Sequence, residues 1–185
     1  MALLPDSQLP PVDRMGDTVV FFPFSGVRQR MLRPEHWRRL VEAVPSHWRV
    51  LVAGHRNDFD RNPEIMALLA QPNVEIETGG FERLASILMG ARIAVGVDTA
   101  GLHLAVLLGT PTVCFASAAY VGAGVPYDEA VTPANVRFLT LPMVCEGCLG
   151  RCRLPLEDGY FPCVAGLDIA PAVAAIRDTV TRGTF

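Results

Sequence analysis

Five short apolar runs recur along this chain: Thr18–Phe22, Arg49–Ala53, Val74–Glu77, Ile93–Val97 and Pro111–Phe115. Each is rich in Val, Ile, Leu or Phe, the composition of a buried strand. Between successive runs the chain is long enough for a helix, and several of these stretches carry helix start or stop signals. Strands separated in this way cannot close tight hairpins. The chain has to cross over the sheet each time, which makes neighbouring strands parallel. The alternation therefore predicts an α/β domain, a parallel sheet with helices on both faces.

The helices are read from their ends. Pro34–Val44 opens with proline in its first turn, and Asn62-Pro63 offers a cap and a first-turn proline for a helix through Leu69. Phe81–Met89 is ended by Gly90, and Gly101–Leu108 is closed by Gly109. After Ala116 the sequence turns Gly- and Pro-rich. Val136–Leu139 reads as one more short strand, Cys145–Cys163 as irregular, and Ile169–Val180 as a closing helix. Residues 1–16 hold three prolines and no apolar period, so they read as a linker-like tail before a single domain over residues 17–185. Trp37, Trp48 and Cys114 fall on core positions, and His36, His47 and His55 on surface ones.

Bulk properties narrow the function. A net charge of −3 gives no basic footprint, so nucleic acid is not expected as a partner. No apolar run approaches the ~18 residues of a transmembrane segment. The first residues lack the pattern of a secretory signal, and a cytoplasmic setting is expected. All sixteen basic side chains are arginine. That removes Schiff-base and P-loop lysine chemistry and leaves Arg to recognise anions.

The chemistry concentrates where the fourth strand gives way to a helix, at Asp98-Thr99-Ala100-Gly101-Leu102-His103. Ligands of parallel α/β sheets bind at the carboxyl edge of the strands. The first amides of a helix are free donors suited to phosphate, here beside a carboxylate, a hydroxyl and an imidazole. Taken alone, the segment also describes an ordinary helix cap followed by a core histidine. A second junction at the same edge, Ser25-Gly26-Val27-Arg28-Gln29-Arg30, adds small residues for close backbone approach. Its Arg28 and Arg30, with Arg33 beyond, could meet a phosphate; solvated arginines on a surface loop are the alternative. Gly79-Gly80 lies on that edge as well. Cys145, Cys148, Cys152 and Cys163 form a third group, four thiols within nineteen residues. Their spacing admits a structural zinc or iron site, one or two disulfides, or free thiols. No organic cofactor is expected.

Val97 to Val113, with Asp98-Thr99, His103, Ala105, Gly109 and Pro111, resembles the D-T-x-x-x-H-x-A-x-x-x-G-x-P signature of glycosyltransferase family 9. These are the ADP-heptose:lipopolysaccharide heptosyltransferases. Pro34-Glu35-His36-Trp37 resembles the helix start after the first strand of that family's donor domain. The likeness runs over about residues 17–180 and implies a Rossmann-like domain equivalent to the C-terminal half of a GT-B glycosyltransferase. It implies an inverting transfer in lipopolysaccharide biosynthesis at the inner face of the bacterial inner membrane. The implied ligand is a nucleotide-diphosphate sugar of the ADP-heptose kind. It would be held by Ser25, Gly26, Arg28, Arg30, Asp98, Thr99, Ala100, Gly101 and His103. Some members carry a four-cysteine iron site. The acceptor domain, with the general base, would come from an N-terminal domain or a partner chain, leaving this half inactive alone. The departures are Arg for the family's lysine near the first strand, Arg33 for a tryptophan, and only Asp58 for the acid after the second strand. The other reading of the residues is a non-catalytic nucleotide-binding or protein-interaction module with a four-cysteine metal knuckle.

Overall fold

The computed structural model describes residues 16–183 and 185; the expected tail 1–16 lies outside the described residues except for Gly16. Six strands form one sheet: β1 (Thr18–Phe22), β2 (Arg49–Ala53), β3 (Val74–Glu77), β4 (Ile93–Val97), β5 (Thr112–Phe115) and β6 (Val136–Leu139). Every neighbouring pair is parallel, in the order β3-β2-β1-β4-β5-β6. The order reverses between β1 and β4, and such a reversal leaves a crevice outside the carboxyl ends of those strands.

β1, β2, β4 and β5 are buried on both faces, their successive side chains pointing to opposite sides, while the edge strands β3 and β6 are partly exposed. Val19 and Phe21 of β1, Val50 and Val52 of β2, and Ile93, Val95 and Val97 of β4 join one core. That face is covered by α1 (Pro34–Glu42), by Ile65 of α3 (Pro63–Met66) and by α7 (Ala170–Arg182). Val20, Phe22, Leu51, Ala53, Ala94 and Cys114 join the other core, under α4 (Phe81–Gly90) and α5 (Ala100–Leu107). Trp37, Leu40 and Val41 lie on one side of α1, at the i, i+3, i+4 spacing of a buried stripe, and Trp37 is fully enclosed. α7 ends at Gly183, whose φ of 64° is the left-handed stop that glycine tolerates.

Three elements differ from the sequence reading. α2 (Arg56–Arg61) forms where no element was read, because the side chain of His55 accepts from the Asn57 amide and Asp58 accepts in return from the His55 amide. The helix read from Pro63 to Leu69 is α3 followed by a 3-10 turn, Ala67–Ala70. The cysteine-rich segment is irregular except for α6 (Pro162–Ala165), again opened by proline.

Candidate functional site

β4 ends at Val97 and delivers Asp98 to the carboxyl edge; Thr99 is the N-cap of α5. Gly96 in β4 is imposed by packing, since a Cβ there would stand 2.5 Å from that of Phe22 on β1. Gly101 is held by the same neighbour, a Cβ at this position meeting the Phe22 ring at 2.5 Å. Its glycine is thus required by the core before any ligand is considered.

Asp98 is the hub of a polar chain. Its Oδ2 accepts from Nη2 of Arg30, brought over by the 3-10 turn Arg28–Arg30 after β1. The Arg30 guanidinium lies over the ring of Tyr120, 4.1 Å from its centroid. The other carboxylate oxygen, Oδ1, meets Nε2 of His103 at 2.9 Å. The second ring nitrogen of His103, Nδ1, bonds the hydroxyl of Tyr127. Hydrogen bonding from His103, helped by the charge of Arg30, holds the Asp98 carboxyl below its usual range despite partial burial. Burial, with Cys114 and Asp98 nearby, pushes the Tyr127 hydroxyl up, and burial first of all pushes up the Cys114 thiol beneath it.

Beside this chain lies a cavity of about 340 Å³. Phe22, Phe24 and Leu84 give it an apolar lining, Gly54-His55 and Thr78–Gly80 line it as well, and Thr99–Gly101 bring the start of α5 to it. Two carboxylates belong to it. Asp58 caps α2, and Glu77, at the end of β3, accepts from the Gly79 amide at 2.6 Å and from Arg83 Nε at 3.0 Å. Phe81, 63% exposed, stands at the cavity as the first residue of α4. The Thr99 hydroxyl makes no capping bond; it is shielded from water and has no hydrogen-bond partner among the described residues. The cavity can therefore take a flat apolar group against Phe81, hydroxyl groups on its carboxylates, and an anion at the α5 amides.

The expected site residues separate into groups. Arg30, Asp98 and His103 come together, and Thr99, Ala100 and Gly101 line the cavity. Ser25 spends its hydroxyl on the Val27 amide, and Gly26 faces open space. Arg28 turns away, to Asn62 and Glu64. Arg33 pairs with Asp158. Tyr120, Tyr127 and Glu77 were missed by sequence reasoning. The tyrosines lie in the Gly- and Pro-rich stretch after β5, where no period marks them, but an acid closing a strand just before Gly79-Gly80 was a readable signal for Glu77.

The four cysteines fit a metal poorly in this arrangement. All are free, and among the described residues no group of three or more His, Cys, Asp or Glu is placed to hold an ion. Cys163 is buried with Sγ 3.3 Å from Ser117 Oγ, while Cys145, Cys148 and Cys152 are half-buried. The segment between them is tied to the turn after β5, Gly147 and Leu149 donating to the carbonyls of Ala118 and Ala119 at 3.0 and 2.7 Å.

No family model and no curated protein matches the chain. Solved structures do. E. coli heptosyltransferase WaaC, solved with ADP-2-deoxy-2-fluoro heptose, superposes with a TM-score of 0.57 at 20% identity over 96% of this chain and 46% of its own. E. coli ADP-heptose lps heptosyltransferase II gives 0.66 at 13% identity, over 90% of this chain and 47% of its own. The dodecameric iron-containing heptosyltransferase TibC, in complex with ADP-D-beta-D-heptose, gives 0.63 at 18% identity, over 96% and 48%. The chain has the fold of half a heptosyltransferase. It spans a little less than half the length of these structures. Among the described residues no helix is long and apolar enough to cross a membrane.

Proposed function

We propose that this chain is the donor-binding half of an inverting glycosyltransferase of the heptosyltransferase type, and that it holds a nucleoside-diphosphate sugar in the cavity at the carboxyl edge. The observation that carries this reading is the meeting of that cavity with the start of α5, where the Thr99 hydroxyl has no partner among the described residues. A buried polar atom left unpaired is costly, and a ligand that pairs it recovers the cost.

Each group then has a task. The amides of Ala100 and Gly101, at the positive end of α5, receive the diphosphate. A rotation about χ1 of Thr99 adds its hydroxyl. Arg30, fixed by Asp98 and Tyr120, adds a cation whose orientation is set before the ligand arrives. Asp58 and Glu77 accept from ribose hydroxyls, and Phe81 stacks on the base. In an inverting transfer the charge that develops on the leaving diphosphate is stabilised by these fixed donors. The general base and the acceptor site belong to the other half of a GT-B cleft, supplied by an N-terminal domain or a partner chain.

Titration calorimetry with ADP, UDP and GDP tests the reading. Saturable binding of ADP, and a Thr99→Val variant that binds it more weakly without loss of stability, are expected. Binding of none of the three nucleotides refutes it.

A further inference from the structure

The polar chain does not end at the signature residues. We infer that Tyr127 is a positioning residue for His103: its hydroxyl occupies Nδ1 and holds the imidazole with the Nε2 proton on Asp98. An ionised carboxylate can only accept, so the Nε2···Oδ1 contact of 2.9 Å requires Nε2 to carry a proton. In the neutral ring Nδ1 is then a lone pair, and the Tyr127 hydroxyl donates to it; in the charged ring the direction reverses and the hydroxyl accepts. Either way Tyr127 answers the one ring atom that Asp98 leaves open. Rotating the imidazole by half a turn would break both bonds together.

The tyrosine is itself held. Its ring meets Phe138 of β6 edge-on, with centroids 4.9 Å apart, and lies beside His103 with centroids 5.7 Å apart at 29°. β6, at the sheet edge, thereby sets the orientation of a side chain on α5. Tyr120, seven positions earlier in the same connection, does the equivalent for Arg30 by stacking. One irregular stretch after β5 thus braces both partners of Asp98 from outside. With both ring nitrogens taken, His103 serves the site by fixing Asp98, and through it Arg30, while the α5 amides and Thr99 are left to meet an anion. This last step rests on the donor-binding reading; the Tyr127–His103 bond does not.

The experiment has two arms. In ¹⁵N-labelled full-length protein, with His103→Gln to assign the ring, two-bond ¹H–¹⁵N spectra are recorded well above the ordinary imidazole range near about 6.5. The wild type should show a single Nε2–H tautomer whose Nδ1 resonance is shifted by an accepted hydrogen bond. Tyr127→Phe, which keeps the ring on Phe138, should move Nδ1 to the position of a free acceptor. A free-acceptor Nδ1 already in the wild type, or no change in the variant, overturns the proposal whether or not any nucleotide binds. In the second arm ADP is titrated into a double-mutant cycle. Tyr127→Phe should weaken ADP by about 3- to 10-fold in the wild-type background and by less than about 2-fold beside His103→Gln, because one hydrogen bond acting through His103 is lost once. An equal loss in both backgrounds also overturns it. A wild type that binds no ADP refutes the donor reading alone and leaves the first arm to decide.

Discussion

Arg30 and Asp98 lie 68 residues apart and form an ion pair at the carboxyl edge, where β1 and β4 run side by side. Both side chains are largely withdrawn from water, with 14% and 17% of their surface exposed. A pair in that position holds the first connection of the sheet to the loop before α5. Removing one partner leaves a charge with too little solvent to replace it. Arg30→Met is expected to destabilise the fold by about 2–4 kcal/mol, below the range of fully buried pairs because some water reaches both groups. Denaturant melts of the two proteins measure it, and a change under about 0.5 kcal/mol, the size of an exposed pair, would show the bridge to be ornamental.

Asp98 also predicts a pH dependence. Its carboxyl is held below the ordinary range by His103 first and by Arg30 next, so the folded state binds its proton less readily than the unfolded chain. The stability this provides is complete above the unfolded value near about 3.9 and is lost as pH falls through the lower folded value. Asp98→Asn removes the titrating group. The gap in stability between wild type and variant should therefore shrink as the solution is acidified below about 5, where the carboxylate titrates. A gap that widens in that acid range would contradict the assignment.

Thr99→Val separates ligand binding from folding. The hydroxyl makes no cap bond and has no partner among the described residues, and the extended backbone at Thr99, φ −146° and ψ 163°, suits a β-branched residue. The melting temperature should hold or rise. ADP affinity should fall by about 5- to 10-fold, the loss of one hydrogen bond to a charged group. A marked loss of stability would instead make Thr99 a structural cap.

The two glycines expected at the ligand should behave in opposite ways. Gly101→Ala drives a methyl into the Phe22 ring and should cost about 1–3 kcal/mol of stability. Gly26→Ala meets nothing within 4 Å and should fold as the parent does. If the loop at Gly26 approaches a bound diphosphate, that variant alone loses affinity at unchanged stability.

The strands were legible because they are short runs rich in β-branched and apolar residues, and β1, β2, β4 and β5 are buried on both sides, a pattern that local sequence carries unaided. Thr18–Phe22, Arg49–Ala53, Val74–Glu77, Ile93–Val97 and Val136–Leu139 stand as read, and Pro111–Phe115 starts one residue later, at Thr112. α2 was not legible, since its cap is a histidine rather than Ser, Thr, Asp or Asn; only Asp58 at its third position hinted at a start. The meeting of Asp98, Thr99 and His103 at one junction was readable from their spacing around a helix start. Their outer partners were not. Tyr120 and Tyr127 reach the site through the folded path of an irregular connection, and nothing local says which of its side chains turns inward. The same reason leaves Arg28 and Arg30 indistinguishable in sequence, although one reaches Asp98 and the other turns to Asn62 and Glu64.

The cysteines give the remaining prediction. Their spacing raised a zinc or iron site, and TibC is an iron-containing protein of the same fold. In the arrangement described here Cys163 is buried against Ser117, apart from any set of three ligands, and Cys145, Cys148 and Cys152 remain partly open to solvent. Native alkylation should therefore modify those three quickly and leave Cys163 and Cys114 slow, in protein that carries no stoichiometric zinc or iron. Metal sites deprotonate and shield all their thiolates together, and a structural ion contributes about 10 kcal/mol or more toward ordering its segment. A metal-bound form would accordingly protect Cys145, Cys148, Cys152 and Cys163 as a set, contain about one ion per chain, and lose protection at the remaining three when any one is changed to serine. Elemental analysis beside the alkylation pattern separates the two outcomes. Finding the second would mean that the 145–163 segment leaves its bonds to Ala118 and Ala119 and closes around the ion, loosening the turn that holds Tyr120 over Arg30.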